Sequence, residues 1–219
     1  MLTELGKRAK AASRVLNRAN TDDKNRALSA MADALEANAE FILQRNECDM
    51  QNGAKSGMSR ALLDRLRLDR DRISSIADGM RKIVSLPNPV GRILDDVTRP
   101  NGLHIVKTAV PLGVIGIIFE ARPNVTADSA ALCLKSGNAV ILRGGSAAIN
   151  SNSAICVVMR SALESAGLPA DCVQLVMDTT RESAAALMRM NGYVDVIIPR
   201  GGAGLIRAVV ENATVPVIE

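Results

Sequence analysis

After Pro111 the chain repeats one pattern. Short continuous apolar runs at 114–119, 139–142, 173–177, 194–198 and 215–218 are separated by segments with helical spacing. Runs this short fit strands buried on both faces, and strands alternating with helices have one common solution, a parallel sheet covered by helices on both sides. The intervening segments carry their own punctuation. One helix is predicted from Thr126, read as its N-cap, through Leu134 to Gly137. A second starts at Asn150 or Ser151 and stops at Gly167-Leu168-Pro169. A third passes through Ala184, Leu187 and Met188, and a fourth begins near Leu205.

Upstream the periodicity differs. Ala27, Leu28, Met31, Leu35, Ile42 and Leu43 recur at helical spacing, with Thr21 as a predicted N-cap before Asp22 and Asp23. Ser59 marks a further start, and Ile73, Ile76, Met80, Ile83 and Val84 continue the pattern until Pro87 and Pro89 end it. Two extended stretches then flank Pro100-Asn101-Gly102, where Asn-Gly suits the positive backbone angles of a tight hairpin turn. The expected organisation is therefore a helical part over 1–88, a β-hairpin arm over 89–110 and a parallel-sheet core over 111–219. His104 lies on the hairpin with no acid or cysteine near it in sequence and reads as a plain strand residue.

Composition narrows the function. With 47% hydrophobic residues, 219 positions suffice for a sizeable core without disulfides. The 27 Lys and Arg against 23 Asp and Glu leave a net charge of +4, dispersed along the chain, and the aromatic residues are Phe41, Phe119 and Tyr193 alone. A nucleic-acid partner is excluded on both counts, while a small anionic ligand is not. No run approaches the roughly 18 apolar residues of a membrane span, and nothing after Met1 resembles an export signal. Cys48, Cys133, Cys156 and Cys172 form no CxxC pair, so a reducing cytoplasm is the expected location. The single histidine and these scattered thiols leave no ordinary metal site. Cys133 and Cys156 sit in apolar helical sequence, Cys172 at a strand edge, and Cys48 between Glu47 and Asp49, a poor setting for a thiolate, so all four read as structural.

In open parallel sheets, ligands bind beyond the carboxyl ends of the strands, which makes the residues after each apolar run the candidates. Glu120-Ala121-Arg122-Pro123-Asn124 places an acid, a cation and an amide at one strand end, for a substrate or simply for an ion-paired loop. Arg143-Gly144-Gly145-Ser146 offers close backbone approach, a hydroxyl and a bidentate fork suited to the 2′-phosphate of NADP, or else is a turn with an exposed arginine. Arg200-Gly201-Gly202-Ala203-Gly204 opens a helix with free amides facing an anion, although Arg207 breaks the strict GxGxxG pattern.

Three strings, PLGVIGIIFEARPNVT at 111–126, CLKSGNAVILRGG at 133–145 and IPRGGAGL at 198–205, closely resemble the gamma-glutamyl phosphate reductases, or glutamate-5-semialdehyde dehydrogenases, of the aldehyde dehydrogenase superfamily. The resemblance extends from the first helix to Glu219. It implies a Rossmann-like α/β fold and NADPH-dependent reduction of L-glutamyl 5-phosphate to L-glutamate 5-semialdehyde and phosphate, the second step of proline biosynthesis from glutamate. By motif, Arg143, Gly144, Gly145 and Ser146 would hold the adenosine ribose and 2′-phosphate, and Arg200, Gly201, Gly202, Ala203 and Gly204 the pyrophosphate. Glu120, Arg122 and Asn124 would face the substrate, and Glu219 would open the segment of the general-base glutamate. The hairpin resembles an oligomerisation arm. A similar domain forms the second half of bifunctional pyrroline-5-carboxylate synthases, but this N-terminus starts as the free-standing enzymes do; functional coupling to glutamate 5-kinase is a further expectation from the resemblance. The resemblance also places the catalytic cysteine beyond Glu219, in a catalytic domain outside this chain, so that turnover by these residues alone is not expected. A non-catalytic NADP(H)-binding or assembly module, completed by another polypeptide, is the alternative, and an anion-binding domain without nucleotide preference is a third.

Overall fold

The computed structural model describes residues 2–219. Five helices come first: α1 (Leu2–Leu16), α2 (Thr21–Ala37), α3 (Ala39–Lys55), α4 (Arg60–Leu66) and α5 (Arg70–Ser85). Their starts follow local hydrogen-bond chemistry. Asn20 rather than Thr21 caps α2: its side chain accepts from the Asp23 amide, and the Asp23 carboxylate takes the Asn20 amide in return, a reciprocal pair that Thr21 is one residue too late to form. Ser59 caps α4 as expected, and Asp69 caps α5. The helix ends at Ser85, ahead of the Pro87 and Pro89 that stop it.

The ribbon consists of β1 (Ile93–Thr98) and β2 (His104–Thr108), antiparallel, with a bulge between Ile93 and Asp95. Its turn is not the two-residue Asn-Gly type. Arg99 and Leu103 close a three-residue loop, the Gly102 amide donates to the Arg99 carbonyl, and Gly102 alone takes a positive φ, +83°. Proline at position 100 suits the first corner of that wider loop. Every residue of both strands is exposed. His104 is not isolated, because its Nε2 lies 2.6 Å from an Asp96 oxygen across the ribbon.

The core then unfolds as β3 (Val114–Phe119), α6 (Pro123–Lys135), β4 (Ala139–Arg143), α7 (Ile149–Ser165), β5 (Val173–Leu175), α8 (Arg181–Met188), β6 (Val196–Arg200) and α9 (Ala203–Asn212). The strands form one parallel sheet in the order β5-β4-β3-β6. The apolar run at 215–218 does not become a fifth strand. Ile197 bonds to Pro216 and Ile218 in a single bridge, and Pro216 turns toward β6 with no N–H to extend the ladder. Helix α6 begins at Pro123, three residues before the predicted cap, because proline is preorganised for the first helical position. Thr126 is therefore interior, buried, and donates its hydroxyl to Asn152 Oδ1 at 3.0 Å. At the other end Gly137, at φ +76°, lets Asn138 and Gly137 donate back to Cys133 and Leu134.

Helices cover both faces of the sheet. Ile115, Ile117, Phe119, Val140 and Leu142 pack on α6 and α7, with α2 and α5 outside them. Val114, Ile118, Ile141 and Ile197 face α1, α8 and α9. The N-terminal helices thus do not form one layer, since α1 crosses to the opposite face from α2–α5. Buried Asp49 on α3 reaches the start of α7, accepting from the Asn150 and Ser151 amides and the Ser151 hydroxyl. It satisfies donors that a helix cannot satisfy itself and places a negative charge at the positive end of α7.

Candidate functional site

Strand order locates the crevice. From β3 the chain steps to β4 and β5 on one side and then returns to β6 on the other, so β3 and β6 flank the topological switch point where open sheets of this kind bind ligands. Glu120 follows β3, and Gly201 and Gly202 follow β6. The structure brings them together: the Gly202 amide donates to Glu120 Oε1 at 3.0 Å. Gly202 is the N-cap of α9, and the Ala203 and Gly204 amides, the next two in the first turn, have no acceptor among the described residues. A side chain at Gly201 would place its Cβ 2.8 Å from the Glu120 carboxyl and 2.7 Å from Leu205 Cδ2. Glycine at this position keeps the helix entrance open, and what faces it is a carboxylate, an anion drawn to the positive end of α9.

The β4 end is built differently. Arg143 does not project as a free fork. One of its terminal nitrogens donates to the Thr179 and Thr180 carbonyls at 2.6 and 2.7 Å, tying β4 to the loop before α8, and its buried Nε has no partner among the described residues. Burial lowers the Arg143 pKa, and the Asp178 carboxylate partly offsets this; Asp178 in turn is held below its ordinary value, chiefly by hydrogen bonding from Thr180 and more weakly by Arg143. Gly144 is fixed by packing, since a Cβ there would stand 2.3 Å from Asn152 Nδ2 and 3.0 Å from the Phe119 ring. Gly145 lies against the backbone of Glu120 and Ala121, and the exposed Ser146 hydroxyl makes no hydrogen bond among the described residues.

Arg122 and Asn124 open α6 and line a groove of about 420 Å³ with Asp128, Arg200 and the apolar Ile117 and Ile198. Asn124 donates to Asp128 at 3.0 Å. Burial pushes the Asp128 carboxyl up, and the Asn124 bond and the charge of Arg200 pull it only part of the way back. Cys133 also borders this groove, yet burial pushes its thiol up to about 12, as it does for Cys156 and Cys172, where Arg160 offsets only part of the shift. Protonated thiols are poor nucleophiles. The exposed Glu219 follows by two positions Val217, the residue that bridges Ile197 of β6.

Of the residues singled out in the sequence, Glu120, Gly145, Gly201 and Gly202 meet directly, while Arg143 faces away toward 178–180. Asp128, Asp178, Thr179 and Thr180 were not anticipated. The first had a signal: it lies four residues after Asn124, one helical turn, but only if α6 starts at Pro123.

The sequence profile of the aldehyde dehydrogenase family matches residues 3–218. A gamma-glutamyl phosphate reductase of Geobacillus kaustophilus (strain HTA426) is 54% identical over 218 residues, covering 100% of this chain and 53% of the relative. Among solved structures, the gamma-glutamyl phosphate reductase of Thermotoga maritima superposes with a TM-score of 0.98 at 41% identity over 100% of this chain and 53% of that one. That of Saccharomyces cerevisiae gives 0.91 at 30% identity over 98% and 55%. The chain spans about half the length of the curated relatives it matches.

Proposed function

Since the chain belongs to the aldehyde dehydrogenase family, we propose that it supplies the NADPH-binding part of a gamma-glutamyl phosphate reductase, which reduces L-glutamyl 5-phosphate to L-glutamate 5-semialdehyde and phosphate in the proline route. The carrying observation is the glycine-rich entrance of α9 at the β3/β6 switch point, with two unpartnered amides beside the one that Glu120 occupies. These residues fit a dinucleotide: the Ala203 and Gly204 amides would take pyrophosphate oxygens, and Arg143 with the Ser146 hydroxyl would meet the 2′-phosphate. When bound, the nicotinamide supplies the hydride. The Thr179 and Thr180 carbonyls hold the Arg143 guanidinium and would share it with the 2′-phosphate. Glu120 holds the Gly202 amide and would yield it to a phosphate. Arg122 and Asn124, at the mouth of the groove beside α6, would face the substrate.

The exposed ribbon carries Ile93, Leu94, Val97, Leu103, Ile105 and Val106 uncovered among the described residues, which supports its use as an arm between copies of the chain. Free cysteines are compatible with a cytoplasmic setting. The test is a fluorescence titration of the folded chain with NADPH and with NADH. Preference for NADPH by about tenfold or more supports the reading, and equal affinities refute it. NADP- and phosphate-dependent oxidation of glutamate 5-semialdehyde by these 219 residues alone would contradict their assignment as the cofactor-binding part.

A further inference from the structure

We propose that the pocket between the α4–α5 corner and the first turns of α6 receives a zwitterionic α-amino-acid head group, its ammonium on Asp128 and its carboxylate on Arg65. The inference rests on the glutamyl-substrate reading above and extends it to the end of the substrate remote from the reacting carbonyl. The pocket is an open depression of about 350 Å³, lined by Arg65, Arg67, Arg72, Ser75, Asn124 and Asp128. Two of its three guanidiniums are already committed. Arg72 donates to the Arg67 carbonyl at 2.7 Å and to Asp64 Oδ1 at 2.8 Å, closing the end of α4, and Arg67 pairs with Asp69, the cap of α5. The Arg65 side chain makes no ion pair or hydrogen bond among the described residues, and neither does the Ser75 hydroxyl.

On the α6 side of the same pocket, Asp128 has no cation within ion-pairing distance among the described residues and its side chain accepts only from the Asn124 side-chain amide. Its carboxyl, raised by burial, is stabilised by any cation brought to it. A simple anion such as phosphate would meet this carboxylate, and a simple cation would meet three arginines. A group carrying both charges satisfies both walls. Asn124 and Asp128 also line the neighbouring groove that holds Arg122 and Arg200. A ligand whose head group rests on Asp128 therefore has a route for its side chain toward the carboxyl ends of β3 and β6, where the glycine-rich entrance lies.

The test is a set of nitrogen-15 NMR titrations of the 219-residue chain with L-glutamate, glutarate and inorganic phosphate, alongside the NADPH titration, with far-UV circular dichroism on every variant. L-Glutamate is expected to give saturable shifts at Ser75, Asn124 and Asp128, and glutarate, which lacks the ammonium, to bind about tenfold more weakly or worse. Asp128→Asn should bring L-glutamate down to the glutarate level while leaving glutarate unchanged, and Arg65→Gln should weaken both. Absence of saturable shifts, equal affinity for glutamate and glutarate, tighter binding of phosphate, or an unaffected Asp128→Asn variant would each overturn the proposal. NADPH binding without these shifts sinks the head-group site alone. Shifts without NADPH binding sink the cofactor reading and leave the pocket standing.

Discussion

Gly144→Ala separates two reasons for a glycine at the end of β4. If the residue is there so that the backbone can approach a phosphate, alanine should spare the fold and damage binding. The structure says the reverse. The added methyl would sit 2.3 Å from Asn152 Nδ2 and 3.0 Å from the Phe119 ring, both on buried side chains of the core. Overpacking of this kind costs about 1–3 kcal/mol, and pushing Asn152 aside also breaks its bond from Thr126, about 1 kcal/mol more. The expected loss in urea unfolding is thus about 2–4 kcal/mol, with an unchanged slope. Asn152→Ala alone removes that bond together with an amide nitrogen that has no partner, so it should cost about 1 kcal/mol. Combined with Gly144→Ala it should recover part of the loss, a coupling of about 1–3 kcal/mol, while the Phe119 contact keeps recovery incomplete. NADPH affinity of the folded double variant should remain within a fewfold of the parent. Gly144→Ala that unfolds like the parent while losing NADPH affinity tenfold would refute the packing account.

Other consequences follow from charge and burial. Glu120→Gln keeps an acceptor for Gly202 but removes a charge that competes with pyrophosphate, worth about 1 kcal/mol at a few ångströms in water, so NADPH should bind severalfold more tightly in calorimetry; weaker binding contradicts this. Burial, and secondarily Lys135, lowers the pKa of buried Lys24, so the unfolded chain binds more protons than the folded one between the lowered value and about 10.4. Stability should therefore rise with pH through that window, and Lys24→Met should make the rise shallower without loss at neutral pH. Iodoacetamide at mildly alkaline pH should label Cys48 alone in the native chain, because the other three thiols are buried with pKa values pushed up to about 12; mass spectrometry showing rapid native labelling of Cys133, Cys156 or Cys172 would contradict the packing described.

The strand-helix alternation was legible because burial on both faces leaves a continuous apolar run, and β3, β4 and β6 fall within two residues of those runs. The run at 215–218 misled because hydrophobicity does not record that Pro216 lacks the donor its position needs. Helix starts were displaced where a residue other than the obvious hydroxyl supplied the cap, at Asn20, or where Pro123 began the helix without one. At the site, the glycines and Glu120 could be placed by their position after a strand. The partners of Arg143 could not, since Thr179 and Thr180 are 36 and 37 residues away and contribute backbone carbonyls, which every residue has. Asp96 escaped notice beside His104 for a related reason: the register of a hairpin, not the interval in sequence, decides which side chains meet.

The central claim, that this chain grips NADPH through the β4 and β6 junctions, is tested most directly by titrating the folded chain and its Arg143→Met variant with NADPH and NADH. The account predicts that the parent prefers NADPH by about tenfold or more and that the variant loses that preference while retaining NADH affinity, the signature of one charge-assisted phosphate contact. Equal affinities in the parent, or a preference that survives in the variant, would contradict it.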